Sequence, residues 1–178
     1  MKYCTECGSA TENKIPEGDN RPRDCCTRCD LIHYTNPRII CGTIPIRAES
    51  VLLCKRAIEP RYGKWTLPGG FMENGETVSQ GAFRETLEET NTEVEIGELY
   101  AIFNVPQINQ VYMLYLAKVV ADDYSSTSES LDVKFFTEDE IPWDDLAFPF
   151  VPKVLKNFFS DLKRGDFPLS THTIERRK

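Results

Sequence analysis

The segment "GGFMENGETVSQGAFRETLEETNTEV", from Gly69 to Val94, decides how this chain is read. It opens on paired glycines and then gathers Glu85, Glu88 and Glu89 within five residues. Thr77 and Gln80 match the capping-box pattern, in which each side chain satisfies the other residue's backbone N–H, so a helix is predicted over 77–91. At 100° per residue, Phe83, Thr86, Leu87 and Thr90 share one side and are expected to face the core. Glu85, Glu88 and Glu89 fall within an arc of about 100° on the other side, with Arg84 at its edge. Gly81 sits one turn earlier on the acidic side, where a missing side chain lets another backbone or a ligand come close. Carboxylates crowded on one arc repel one another. A divalent cation removes that repulsion, and hard oxygen ligands completed by water suit Mg²⁺ or Mn²⁺ bridged to a substrate phosphate.

Outward from this segment, the chain of 178 residues suits one well-built domain plus a small accessory unit. Its hydrophobic content of 40% supports a real core, and its formal charge of −7 argues against a nucleic-acid partner. No run approaches the ~18 apolar residues of a bilayer span, and "MKYCTECGS" lacks the pattern of a signal peptide, so no membrane partner and a cytoplasmic location are expected. From Pro37 onward the texture turns strand-like. "RIICGTIPI" and "SVLLCK" read as a hairpin, "EIGELYAIFNV", "QVYMLYLAKVV" and "LDVKFF" as further strands, and "RAIEPRYGKWTLPGGF" as a loop dense in Gly and Pro. Thr137 with Glu140 caps a short helix, and "FVPKVLKNFFSDLKRG" is a final amphipathic helix stopped at Gly165. The tail "THTIERRK" reads as loose. Cys41 and Cys54 sit in apolar runs as small core residues. Strands mixed with two or three helices indicate an α+β or layered αβα domain.

The first ~35 residues are too polar to build a core of their own. They carry two C-x-x-C pairs, Cys4 with Cys7 and Cys26 with Cys29, separated by 18 residues. Each short turn points two sulfurs at a common centre, and the spacing falls in the zinc-ribbon window, so these four cysteines are read as ligands of one tetrahedral Zn²⁺. With four thiolates and no open position, that zinc is structural and supplies the folding energy the segment lacks. Cys25 and His33 are read as bystanders.

The segment from Gly70 also resembles the signature of the Nudix hydrolases, G-x5-E-x7-R-E-U-x-E-E-x-G-U with U aliphatic. Gly70 opens it, Glu76 follows, and "RETLEE" from Arg84 to Glu89 supplies the charged half. Three positions depart: Thr86 and Thr92 stand where aliphatics are usual, and Asn91 replaces the glycine that ends the helix. Asn is the next-best residue for a left-handed helix cap. The resemblance implies a Nudix αβα sandwich with a mixed β-sheet over 37–165, preceded by a zinc ribbon at 1–36 and followed by a tail at 166–178. It implies metal held by Glu85, Glu88, Glu89 and the carbonyl of Gly69, with Glu85, Glu88 and Glu89 also activating water. Arg84 would orient the glutamates, Glu76 would support the loop or assist a metal, and Glu129 is the candidate general base. A homodimer is expected by the same resemblance.

The ribbon followed by "IHYTNPRII", "LLCKRAIEPRYGKWTLPGGFMENGET" and "FNVPQINQVYM" is similar to the zinc-ribbon Nudix group, whose members include dinucleotide pyrophosphatases. The implied activity is metal-dependent cleavage of a nucleoside diphosphate linked to another moiety. The NADH-directed branch carries "SQPWPFPxS" after the signature, which this chain lacks, and that favours FAD or ADP-ribose. Alternatives are an NADH or nucleotide-cap RNA pyrophosphatase, and a non-catalytic module that senses a nucleotide. Arg56 and Arg61 are candidates to contact phosphate, and Trp65, Phe103 and Tyr112 to stack a ring, although surface charge and core packing are the simpler readings. Bound zinc is expected near one equivalent in the wild type and to fall sharply in Cys26→Ser. Unchanged stoichiometry by elemental analysis would defeat the ligand assignment.

Overall fold

The computed structural model describes residues 1–120 and 122–175, which divide into two compact units, 1–37 and 38–178. In the first unit three short strands form an antiparallel sheet: β1 (Thr11–Lys14), β2 (Arg23–Cys26) and β3 (Ile32–His33). Its buried apolar side chains are Cys4, Cys25 and Cys26, so no aliphatic core holds it.

The second unit is built on β4 (Arg38–Arg47) and β5 (Ser50–Arg56), which form the expected hairpin through Ala48 and Glu49, with Ala48 at φ 51°. β6 (Trp65–Thr66), β7 (Gly69–Phe71), α1 (Val78–Thr90), β8 (Val94–Val105), β9 (Gln110–Val119), β10 (Ser130–Phe136), α2 (Phe150–Arg164) and β11 (Ser170–Thr173) follow. The sheet runs β10-β5-β4-β9-β8-β11, with β6 on β5 and β7 on β4. β4 lies parallel to β9 and β8 parallel to β11, while the other pairs are antiparallel. The sheet is therefore mixed, and the α+β sandwich expected from the sequence is what forms.

Period-two alternation sorts the two helices onto opposite faces. Val51 and Leu53 of β5, Ile44 of β4 and Leu114 of β9 pack with Val151, Val154, Leu155 and Phe158 of α2 in the larger core. Leu52 and Cys54, one residue out of phase, point to the other face. There Phe83 of α1 packs on Val94, Ala117 and Val119, and Thr43 of β4 meets Thr86 of α1 at 2.7 Å between hydroxyls. α2 ends at Gly165 in the left-handed region, φ 69°, as its sequence indicates.

Three expectations need correction. The segment 56–71 is not wholly loop, because Trp65–Thr66 and Gly69–Phe71 pair with β5 and β4; strands of two and three residues are too short to leave a periodic signature. The short helix after Thr137 is one 3₁₀ turn, Glu138–Glu140, held by the expected capping box. The tail is not loose over its first residues: Ser170–Thr173 pairs with Ala101–Asn104, Asn104 Nδ2 donates to the His172 carbonyl and Ile174 N–H to Asn104. The unpaired edge of β8 supplies that order, which no side-chain pattern announces. Residues 176–178 lie outside the described residues. Among the described residues no helix is long and apolar enough to cross a membrane.

The two threonines of the signature behave differently. Thr86 is fully buried, donating to Ala82 O at 2.7 Å within the helix and sharing its hydroxyl with Thr43. Thr92 is buried too, yet among the described residues its hydroxyl has no partner. An unpaired buried hydroxyl costs about 1–3 kcal/mol, and valine has the same shape without it. Thr92→Val should therefore raise stability by about 1 kcal/mol or more in urea denaturation. A loss of stability would mean that the hydroxyl is satisfied in solution.

Candidate active site and metal centre

The site begins where one edge of β4 changes partner. β5 pairs with β4 at Ile46 and Arg47, and β7 takes over at Ile40, Cys41 and Gly42. A Cβ on Gly42 would lie 2.5 Å from Pro68 O, so only glycine lets the chain entering β7 come this close. β7 thereby lies against α1, whose start is fixed by the capping box: Gln80 N–H donates to Thr77 Oγ1 at 3.2 Å and Thr77 N–H to Gln80 Oε1 at 2.8 Å. Asn91 ends the helix at φ 53°, ψ 30°, and its N–H bonds Leu87 O. The left-handed cap is formed without glycine.

The helix is rotated from the expected orientation. Its buried residues are Gly81, Ala82, Thr86, Glu89 and Thr90, whereas Leu87 is exposed. Thr86 and Thr90 face inward as expected and Phe83 packs on the sheet, but the buried arc extends to Gly81, Ala82 and Glu89 instead of Leu87, because the sheet offers hydroxyls, thiols and an amide as well as carbon. Gly81 lies on this inward side as a close-approach position, where an added Cβ would be 2.5 Å from Cys41 Sγ and 2.6 Å from Glu76 Oε1.

One guanidinium organises three of the carboxylates. Arg84 donates through Nε and Nη2 to Glu76 at 3.0 and 2.8 Å, and through Nη1 to Glu85 at 2.8 Å and Glu88 at 2.9 Å. Its Nη2 also reaches Phe71 O at 3.1 Å, tying β7 to the helix. Arg84 holds the Glu76 carboxyl down at about 2, helped by Glu73 N–H. Burial raises Glu85 despite the same arginine, and Glu88 and Glu129 push it the same way. Glu129 is exposed on the loop before β10 and is anchored by its carbonyl, which accepts from Ala57 N–H at 2.8 Å. Its charge therefore acts on Glu85 without a direct contact.

Glu89 stands apart, 5% exposed. Its Oε2 accepts Gly69 N–H at 2.9 Å and lies 3.5 Å from Cys54 Sγ. Its other oxygen, Oε1, meets no protein donor among the described residues. Burial lifts the carboxyl to about 7, and the Gly69 N–H opposes the shift. A nearly buried carboxylate with one oxygen left over fits a hard divalent cation, with Glu85 on the preceding turn adding to the negative field. Gly69, named from sequence for its carbonyl, contributes its amide to this arrangement. Cys54 is a buried core residue as expected, and it also neighbours Glu89, which only its alternation on β5 could have marked.

The N-terminal thiols converge without help from the rest of the chain. The sulfurs of Cys4, Cys7, Cys26 and Cys29 lie within 4.8 Å of one another. Cys4 and Cys29 are 3.7 Å apart and Cys7 and Cys26 3.4 Å, close to the ~3.8 Å edge of a tetrahedron with ~2.3 Å zinc–sulfur bonds. Cys29 and Arg28 N–H groups point at Cys26 Sγ and hold that thiol below its ordinary value. Among the described residues this is the one tight cluster of candidate metal-binding side chains, and Cys25 and His33 stand outside it.

Of the candidate stacking residues, Phe103 is fully buried against Phe150 and is core. Trp65 makes an edge contact with Phe136 at 4.9 Å and is 8% exposed. Tyr112 is half-buried, 4.5 Å from the Phe150 ring.

A family profile described as "NUDIX domain" matches residues 37–158. The chain belongs to the Nudix family. A second Nudix profile, "Nudix N-terminal", a zinc-ribbon model, matches residues 2–35. Among solved structures, a NUDIX hydrolase from Nitrosomonas europaea is 51% identical with a TM-score of 0.93, covering 98% of this chain and 100% of its own. The NAD-capped RNA hydrolase NudC of Vibrio vulnificus is 30% identical across 90% of this chain, which spans 62% of that relative's length. An ADP-ribose pyrophosphatase of Methanocaldococcus jannaschii is 27% identical across 70% of this chain and 75% of its own.

Glu89 makes the stability of this Nudix fold depend on pH. Its folded value of about 7 exceeds its ordinary 4.5, so the folded state holds an extra proton between those values and stability falls as pH rises through them. In magnesium-free buffer, urea denaturation should show a loss of roughly 2 kcal/mol between pH 5.5 and 8. Glu89→Gln should flatten the loss, and added Mg²⁺ should reverse it in the wild type. Equal slopes in the two proteins would contradict the buried-carboxylate account.

Proposed function

We propose that the protein is a metal-dependent Nudix pyrophosphatase acting on a nucleoside diphosphate linked to another moiety, with ADP-ribose and FAD the favoured substrates. The observation that carries this reading is the Arg84-bound set of Glu76, Glu85 and Glu88 beside the buried, half-satisfied Glu89. Glu85, Glu88, Glu89 and the Gly69 carbonyl would hold Mg²⁺ or Mn²⁺. When bound, such ions neutralise the pyrophosphate and sharpen a water for attack. The residues of the chain do the rest. Gly69 N–H fixes Glu89 Oε2 and leaves Oε1 free to act as a ligand. Arg84 sets the directions of Glu85 and Glu88. Glu129, whose charge acts on Glu85, takes the proton of the attacking water. The water oxygen bonds to one phosphorus, the bridging P–O bond breaks, and two monophosphates leave.

The four N-terminal thiols would hold a structural zinc, for which their spacing and convergence are the support. A second substrate reading, an NAD-capped RNA, is favoured by the NudC relative, whose similarity includes the ribbon segment. The missing "SQPWPFPxS" element and the negative charge of the chain weigh against it.

Phosphate-release assays with Mg²⁺ or Mn²⁺ over ADP-ribose, FAD, NADH and NAD-capped RNA should show ADP-ribose or FAD cleaved fastest. Glu89→Gln keeps the acceptor for Gly69 N–H and should fold, yet lose turnover by about 100-fold or more. Near-normal activity of that variant would refute the assignment, and nucleotide binding with no cleavage would favour the sensor.

A further inference from the structure

Cys54 lies on β5, 1% exposed, with its sulfur turned to the acidic helix. Its Sγ is 3.5 Å from Glu89 Oε2 and 3.6 Å from Thr66 O. Leu52 and Val133 pack beside it, so an aliphatic side chain would suit the position as well. A second buried group attends the same sulfur. The Ser130 hydroxyl, in a residue also 1% exposed, makes no hydrogen bond among the described residues, yet it stands close enough to act on the Cys54 thiol. The other thiol beneath the helix differs, because Cys41 points to the neutral Gly70 carbonyl at 3.7 Å.

Core filling alone does not call for a donor aimed at a carboxylate. A carboxyl group held by one hydrogen bond still pivots about it, and Gly69 N–H supplies one bond to Glu89 Oε2 at 2.9 Å. The thiol supplies the second from a different strand, so β5 and β7 bracket one oxygen between them. A donor is held more strongly by a charged acceptor than by a neutral one, so the S–H belongs to Glu89 rather than to Thr66. Sulfur also accepts weakly, and an O–H from Ser130 would leave the S–H pointing at the carboxylate. Partners that orient a metal-binding side chain matter: losing one typically costs about 10- to 100-fold in metal affinity.

We propose that Cys54 is a positioning residue of the acidic site, its S–H joining the Gly69 N–H to lock Glu89 Oε2 and so present Oε1 to a divalent cation. Ser130 backs the thiol. Because Ser130 directly follows Glu129, the same chain of groups ties the loop of the candidate general base to the helix. The inference rests on the pyrophosphatase reading for the identity of its cation, but its first readout is binding rather than turnover.

The test is titration of Mn²⁺ into the zinc-loaded full chain, with free Mn²⁺ read by electron paramagnetic resonance. Cys54→Ala should weaken Mn²⁺ by about 10-fold or more. Cys54→Ser, which restores a donor, should recover most of that affinity. Val133→Ala loosens the same packing cluster without removing a donor, and should bind Mn²⁺ as the wild type does. With ADP-ribose, Cys54→Ala should raise the Mg²⁺ concentration for half-maximal rate more than it lowers the rate at saturating Mg²⁺. If Cys54→Ala fails to fold, Ser130→Ala carries the test, with an expected weakening of about 3-fold. Equal losses in Cys54→Ala and Val133→Ala would reduce the thiol to packing and overturn the proposal. Unchanged Mn²⁺ affinity in Cys54→Ala, with ADP-ribose still cleaved, would overturn it while leaving the pyrophosphatase reading intact. A zinc-loaded wild type that takes up no Mn²⁺ would overturn both.

Discussion

Like charges packed against a sheet must be reconciled before anything else in this molecule can form. Arg84 alone answers three carboxylates, Glu76, Glu85 and Glu88, which leaves two negative charges over before Glu89 is considered. The fold tolerates this by spreading the load. Glu76 and Glu88 stay near water, Glu85 accepts partial burial, and Glu89 takes a backbone N–H and a raised proton affinity. A divalent ion would relieve the residual negative field, so the same imbalance suits the cation proposed for this site.

That arrangement is possible only because backbone and side chains share the work of positioning. β4 gives one stretch of its edge to β5 and another to β7, and the split lets Gly69 and Phe71 reach α1. The helix is fixed at its start by Thr77 and Gln80, at its end by Asn91, and in its middle by the Thr43–Thr86 hydroxyl pair. On the opposite face α2 seals a mainly apolar layer, with the buried Tyr100 hydroxyl donating to Asp161 as its polar exception. One side of the sheet is thus built for stability and the other for polar chemistry.

Much of this was legible in the amino-acid pattern. The hairpin, the long strands, both helices and the cysteine pairs declare themselves through periodicity, caps and spacing, all of which are local. What the pattern hid depends on partners distant in sequence. Leu87 looks inward beside Thr86 and Thr90 until the sheet shows that it takes Gly81, Ala82 and Glu89 with those threonines instead. Cys54 reads as a small hydrophobe until Glu89 is placed against it. Arg56 looks like surface charge until Phe148, nearly a hundred residues away, covers it. β6 and β7 are too short for any periodic signal, and β11 is ordered by the edge it joins rather than by its own residues.

That last strand has a bearing on self-association. By lying parallel on Ala101–Asn104, Ser170–Thr173 occupies amide and carbonyl groups that would otherwise form an open template at the margin of the sheet. Trimming the chain before Ser170 would leave both helices and the acidic pocket in place while baring a ribbon of main chain able to recruit another molecule by strand addition. The C-terminal segment thus moves the margin of the sheet from the long β8 to a strand of four residues, a shorter template for strand addition.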